Sequence, residues 1–295
     1  DNVLDDDNGL WTDGQYQTDK NNSLYAKFEI DTSSIPKVQI AEVFYQQTNS
    51  DKPFSFKPNE NTLIGYNIGV DLSNALTRKK KNLLLTYFRN KKKIHSKVIK
   101  NKKTKFLQFD LKKNSHLEKI KKLVRNKFTV ESIIFASSGN IKLKPLSKIE
   151  NNEIKNEIIL QTIGLFNVIK TLEEDLKDKD CSIVVIGSDV VFGKPPPKLL
   201  IYNVAKNSLL GLTKSLAVEL GVRGIRVNMV SPGIIDAKSS SEFPLISKEK
   251  YKAESTLNRI GKVKNISQII EFLLSKKSSH LTGTNLRANA GNTFW

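Results

Sequence analysis

Cysteine, methionine and histidine are nearly missing from this 295-residue sequence, which has one Cys, one Met and three His. A lone Cys181 excludes a disulfide within the chain and suits a reducing compartment, so a cytoplasmic location is expected. His95, His116 and His280 lie far apart without ligand spacing, so no metal centre is expected. The apolar runs are short and broken by charge, which argues against a membrane-spanning helix. The opening "DNVLDDDNGLWTD" has neither the basic start nor the apolar core of a secretory signal. Also missing is a G-x-S-x-G elbow: Ser188 sits in "IGSDV", which removes a serine hydrolase from consideration.

Arginine is scarce too. Of 48 basic residues only seven are Arg, against 30 acids, for a formal net charge of +18. Arginine reads phosphates and bases bidentately. A lysine excess without a motif argues against a nucleic-acid partner. The excess is uneven: Arg78 to Lys105 carries thirteen Lys/Arg and no acid.

What is present is enough apolar residue, 38 %, for one large α/β domain with a small appendage. Residues 1–60 read as an N-terminal extension: Leu24, Ala26, Phe28 and Ile30 alternate like a half-buried strand, and "KVQIAEVFY" reads as a second. From 61 to 295 strands and helices alternate. "TLIGY", "NLLLTYF", "FLQFDL", "ESIIFASSG", "SIVVIGS", "IRVNMVS" and "GTNLRANA" read as strands. "GVDLSNALTRKK", "HLEKIKKLVRNKF", "NEIILQTIGLFNVIKTLEEDL", Tyr202–Leu220 and "ISQIIEFLLS" read as helices. Such alternation predicts a Rossmann-like, doubly wound parallel sheet with helices on both faces. Ligands then belong at the carboxyl ends of the strands.

Tyr202 and Lys206 fall four apart in a helical segment, hence on one face. A phenol near pKa 10 is a poor acid at neutral pH, and a nearby ammonium favours its anion. A Tyr so tuned can protonate a carbonyl oxygen as hydride reaches the carbon. Taken alone, the pair also reads as a half-buried Tyr beside a snorkelling Lys. Ser188, at the end of "SIVVIGS", can hydrogen-bond a substrate oxygen or simply start a turn.

From about 105 to 295 the chain resembles the short-chain dehydrogenase/reductase family, and within it the 3-oxoacyl-(acyl carrier protein) reductase branch. The stretches that carry the resemblance are "VVIGS", "YNVAKNSLLGLTKSLAVELGVRGIRVNMVSPGIIDA" and "RIGKVKNISQIIEFLLSKKSSHLTGTNLRANAG". It implies that Tyr202 is the general acid, that Lys206 lowers its pKa and binds the nicotinamide ribose, and that Ser188 holds the substrate carbonyl. Asn228 matches a position that supports its strand. Pro232, Gly233 and Ile235 match the loop that meets the nicotinamide carboxamide. Asp110 matches an aspartate that meets the adenine, and reads equally as a strand-end cap.

The chain departs from the family at the nucleotide end. The glycine loop is reduced to "IGYNIG", which keeps Gly65 and Gly69 and puts Asn67 in a glycine place. "ASSG" replaces the family's NNAG and keeps Gly139. Gln161 stands where the family has its active-site asparagine, and Ala237 where a threonine is common. No acid ends the second strand of the fold. Tyr87 is there, with Arg89 close by, which favours NADP over NAD.

The expected function is NADPH-dependent reduction of a ketone, a 3-oxoacyl thioester linked to a carrier protein or CoA, as in fatty-acid or polyketide synthesis. The alternative is a catalytically weak or inactive homologue acting as a binding or structural subunit. The resemblance also implies a homo-oligomer, dimer or tetramer, paired through the helices around 153–175 and 202–220.

Overall fold

The computed structural model describes residues 14–18, 24–28, 61–64, 82–87, 104–125, 130–139, 141–236 and 243–294. Two compact units divide the chain, residues 1–55 and 56–295. In the first, β1 (Gly14–Thr18) and β2 (Leu24–Phe28) pair antiparallel, with Gly14 opposite Phe28 and Thr18 opposite Leu24. The alternation of Leu24, Ala26 and Phe28 predicts β2. The sequence of β1, GQYQT, has too few apolar residues to show a period. "KVQIAEVFY" and the helix expected over "GVDLSNALTRKK" lie outside the described residues.

The second unit is built on a seven-stranded sheet. In chain order its strands are β3 (Asn61–Ile64), β4 (Asn82–Tyr87), β5 (Thr104–Gln108), β6 (Ser132–Phe135), β7 (Ser182–Ile186), β8 (Arg226–Pro232) and β11 (Asn285–Ala288). A short parallel pair, β9 (Ile235–Asp236) and β10 (Gly261–Lys262), stands apart from it. Strand order in the large sheet is β11-β8-β7-β6-β3-β4-β5, parallel throughout. The order reverses between β3 and β6, where a doubly wound sheet opens a crevice at its carboxyl edge. This is the architecture expected from the sequence.

Among the described residues the helices are α1 (Asn114–Arg125), α2 (Asn151–Ile158), α3 (Gly164–Leu172), α4 (Leu200–Gly221), α5 (Leu245–Glu254) and α6 (Val263–Leu274). None is long and apolar enough to cross a membrane. The central strands are buried on both faces, so they read as continuous apolar runs rather than alternating ones. The pleat still sorts their side chains. Ile133, Phe135, Ile183, Val185, Val227 and Met229 pack with Ile120 of α1, Leu165 of α3 and Leu209 of α4. Ile134, Val184, Ile186 and Val230 point the other way, onto Ile266, Ile270, Leu273 and Leu274 of α6. Each such side chain contributes about 1.5–3 kcal/mol by leaving water.

One long helix is expected over residues 156–176. The structure breaks it: α2 and α3 are joined by a π turn, Ile159–Ile163, with Gln161 at its centre and fully buried. A π turn adds a residue to the helical circuit and commonly marks a functional site.

Candidate active site

The carboxyl end of β7 gathers the chemistry. Gly187 follows the strand and donates its N–H to Val230 O at 2.7 Å. A Cβ there would fall within 2.5 Å of Met229 Sδ and 2.6 Å of Ser231 Oγ, so only glycine lets the chain pass so close to β8. Ser188 then caps the 3₁₀ turn Asp189–Val191, its Oγ accepting from Val190 N at 3.4 Å. The turn-starting and the catalytic readings of this serine are therefore compatible. Accepting from the backbone leaves its hydroxyl proton for another partner, and the Tyr202 phenol lies beside it.

The first turns of α4 bring Tyr202 and Lys206 over the same strand end. Lys206, 2 % exposed, donates from Nζ to Ile186 O at 3.0 Å. Its ammonium sits over the Tyr202 ring, 5.6 Å from the centroid. Burial pulls the Lys206 pKa down to about 8, and the Glu157 carboxylate pushes it up.

The Tyr202 pKa is raised: burial is the main cause, Glu157 adds to it, and the Ser188 hydrogen bond opposes it. The ammonium lies over the ring and donates one N–H to a backbone carbonyl.

Gln161 lies in the same neighbourhood. Its Nε2 donates to Glu157 Oε1 at 2.6 Å, while its own Oε1 is buried without a hydrogen-bond partner. Glu157 Oε1 also accepts from Gly139 N at 2.8 Å, so one carboxylate joins the loop after β6 to the π turn. A Cβ on Gly139 would collide with that carboxylate. Glu157 escaped the sequence reading. The signal that could have found it is its place four residues before Gln161, on one helix face.

Pro232 and Gly233 end β8 and lead to Ile235, which is 5 % exposed. Gly233 N donates to Ala288 O at 3.1 Å, and a Cβ on Gly233 would run into the Tyr251 hydroxyl from α5. That hydroxyl donates to Asn289 O at 2.9 Å, and burial raises its pKa to about 12. Asn228 supports the strand, as expected: its amide donates to Leu281 O at 2.8 Å and accepts from Thr284 N at 3.2 Å. Asp189, next to Ser188, accepts from Asn289 Nδ2 at 3.1 Å and from Thr293 Oγ1 at 3.1 Å. Burial raises its pKa and these two donors oppose the rise.

At the nucleotide end, Asp110 closes a turn after β5: its Oδ1 accepts from Lys112 N at 3.1 Å, and its N–H donates to His116 Nδ1 at 2.8 Å. Tyr87, 7 % exposed, is part of the core. Gly65, Gly69, Arg89 and Ala237 lie outside the described residues. The structure thus brings Ser188, Tyr202, Lys206, Gln161 and Gly139 together around β6, β7 and α4.

A family model for enoyl-(acyl carrier protein) reductase matches residues 65–293. The chain is 30 % identical over 179 residues to the 3-oxoacyl-(acyl-carrier-protein) reductase FabG of Buchnera aphidicola subsp. Schizaphis graminum, across 60 % of this chain and 72 % of that one. A short-chain dehydrogenase family protein of Francisella tularensis superposes with TM-score 0.68 at 26 % identity, over 79 % of this chain and 98 % of that. A short-chain dehydrogenase/reductase of Brucella melitensis, titled a glucose/ribitol dehydrogenase, superposes with TM-score 0.75 at 23 % identity, over 82 % of this chain and all of that, and so speaks for the fold. Sheet, site and family model agree: the chain belongs to the short-chain dehydrogenase/reductase family, oxidoreductases that use nicotinamide cofactors, and within it is similar to the 3-oxoacyl-(acyl carrier protein) reductases.

Proposed function

We propose that this chain reduces a ketone with NADPH, that its substrate class is a 3-oxoacyl thioester on a carrier protein or CoA, and that Tyr202 is the general acid. The observation that carries the reading is the meeting of the Tyr202 phenol, the Ser188 hydroxyl and the buried Lys206 ammonium at the end of β7.

The donor set fits a nicotinamide ribose. Lys206 engages Ile186 O with one N–H and has two more for vicinal hydroxyls. The buried Oε1 of Gln161 is an acceptor in need of a donor. In this reading the backbone at Gly139, Pro232, Gly233 and Ile235 lines the nicotinamide side. Gly65 and Gly69 hold the pyrophosphate, Arg89 the 2′-phosphate and Asp110 the adenine. When bound, the nicotinamide supplies the hydride that reaches the carbonyl carbon.

The protein's own groups handle the proton. Ser188 donates to the carbonyl oxygen and holds it beside the phenol. Tyr202 transfers its proton to that oxygen as the C=O double bond becomes a C–O single bond. A raised phenol pKa suits this direction, because Tyr202 stays protonated until the oxygen gains charge. The Lys206 ammonium then favours the phenolate by charge, and a proton from water restores the phenol.

In this reading "FGKPPPKLL" and "DAKSSSEFPLISKEKYKAES" line the substrate entrance, and their lysines suit an anionic acyl carrier. Pairing with a second copy through α3 and α4 would cover Phe166, Val204, Val218 and Val222, which are 38 % to 88 % exposed.

The test is calorimetric titration with NADPH and NADH at two salt concentrations, followed by a screen of ketones and 3-oxoacyl thioesters. NADPH binding that survives moderate salt, together with turnover, is expected. Absence of binding by either nucleotide would overturn the reading and leave a non-catalytic family member.

A further inference from the structure

The reductase reading gives no task to Glu157, yet its carboxylate links two separate parts of the site. It projects from the last turn of α2, just before the π turn. One oxygen accepts two N–H groups, from Gly139 N at 2.8 Å and from Gln161 Nε2 at 2.6 Å. The other lies where a Cβ on Gly139 would stand. A carboxylate so placed fixes the loop after β6, the π turn and the field around α4 together.

We propose that Glu157 is a positioning residue of this site: its carboxylate ties the loop at Gly139 to the π turn at Gln161 and sets the charge around α4. The inference rests on the reductase reading for its effect on turnover. Its effect on Lys206 is independent of that reading.

Lys206 is the cation on which this charge acts. Lys206 is 2 % exposed, and its hydrogen bond goes to a neutral carbonyl, Ile186 O, at 3.0 Å. A buried ammonium in such surroundings tends to release its proton unless an anion is near. The groups around it can be named element by element. From α2 comes Glu157, and from α4 itself Tyr202. The 3₁₀ turn after β7 carries Asp189, whose oxygens face Asn289 and Thr293. From the π turn comes the neutral Gln161 amide. β8 has Arg226 at the opposite, amino end of the sheet, hydrogen-bonded to Leu273 O and Ser278 O. Glu157 is thus the anion acting on Lys206, and burial opposes it.

Two substitutions separate charge from scaffold. Glu157→Gln keeps an oxygen of the same reach for Gly139 N and Gln161 Nε2 but removes the charge. Gly139→Ala keeps the charge and pushes it aside, since the colliding atom is the far end of a flexible side chain. Lys206 is followed by ¹⁵N resonance in lysine-labelled protein, assigned by the signal that disappears in Lys206→Met. Glu157→Gln is expected to melt near the parent temperature and to titrate Lys206 below the parent value of about 8. Gly139→Ala is expected to shift Lys206 in the same direction. Glu157→Asp, which restores the charge, is expected to bring the titration back toward the parent. In turnover, the alkaline limb of ketone reduction moves to lower pH in Glu157→Gln, because removing the anion eases proton loss from both Lys206 and Tyr202. An unchanged Lys206 titration in Glu157→Gln would overturn the inference. A parent that turns over no ketone overturns the reductase reading instead, and the resonance still decides the role of Glu157.

Discussion

The Lys206 ammonium lies over the face of the Tyr202 ring, 5.6 Å from its centroid, while its proton is directed to Ile186 O at 3.0 Å. The two residues therefore meet through charge and ring, and burial raises the phenol pKa. A raised phenol pKa suits the proposed role of Tyr202 as proton donor.

Removing the phenol hydroxyl tests this directly. Tyr202→Phe keeps the ring under Lys206 and deletes the acid. Ketone reduction should fall by about 10²–10⁴-fold, the usual contribution of a general acid, with NADPH affinity nearly unchanged. Single-turnover rates and calorimetry measure the two separately. Equal rates in variant and parent would remove Tyr202 from the chemistry.

Lys206 couples activity to stability in opposite senses. Its folded pKa, about 8, is depressed below the ordinary lysine value of 10.5. Between these two values the unfolded chain binds more protons, so stability rises with pH across that window; below about 8 the full cost of a buried ammonium is present. Lys206→Met removes the cost. It should stabilise the protein at neutral pH by on the order of 1–2 kcal/mol, after allowing for the hydrogen bond lost at Ile186 O, while turnover collapses. Melting curves at neutral and alkaline pH should show the gain shrinking as pH rises.

Asp189 fastens the turn after Ser188 to the C-terminal loop through Asn289 and Thr293. Asp189→Ala should destabilise the chain by about 1–3 kcal/mol, since buried donors lose an acceptor. The same Asn289 holds Tyr251 of α5, so KM should rise more than kcat falls. Because burial raises the Asp189 pKa, its contribution is fullest in acid and declines as pH rises through the folded value. Denaturant titrations should accordingly show a larger loss in mild acid than at neutrality. No loss at either pH would mean that the latch holds nothing.

Gly211 stands exposed in the middle of α4, with no heavy atom within 4 Å of where its Cβ would be. In a lone chain Gly211→Ala should stabilise the helix by about 0.5–1 kcal/mol. If α4 packs against a second copy, the same methyl obstructs the close approach and weakens association. Sedimentation and melting together give the answer: higher stability with unchanged association would show that this face is not the paired one.

Most of the candidate site was legible because it is local. Tyr202 and Lys206 are one helical turn apart, and Ser188 ends a run of apolar residues that can only be a buried strand. The parallel sheet followed from alternation. What could not be read depends on burial and on contacts remote in sequence. The raised phenol pKa needs the depth of Tyr202 and the charge of Glu157. Glu157 acts through Gly139, on a loop that only the pairing of β6 with β3 and β7 brings near. The break at Ile159–Ile163 was illegible for another reason: "ILQTI" has no Pro or Gly, and ordinary helical spacing passes through it.

That break has an evolutionary corollary. A π turn carries one residue beyond the α-helical circuit, and removing it would rotate everything upstream by about 100° relative to α3. The stripe of Leu165, Val168, Ile169 and Leu172 would keep its seat on the sheet, whereas Glu157 would swing off the Gly139 loop. Loss of a single codon within 159–163 is therefore a route by which this lineage could silence the site in one step and leave the fold intact.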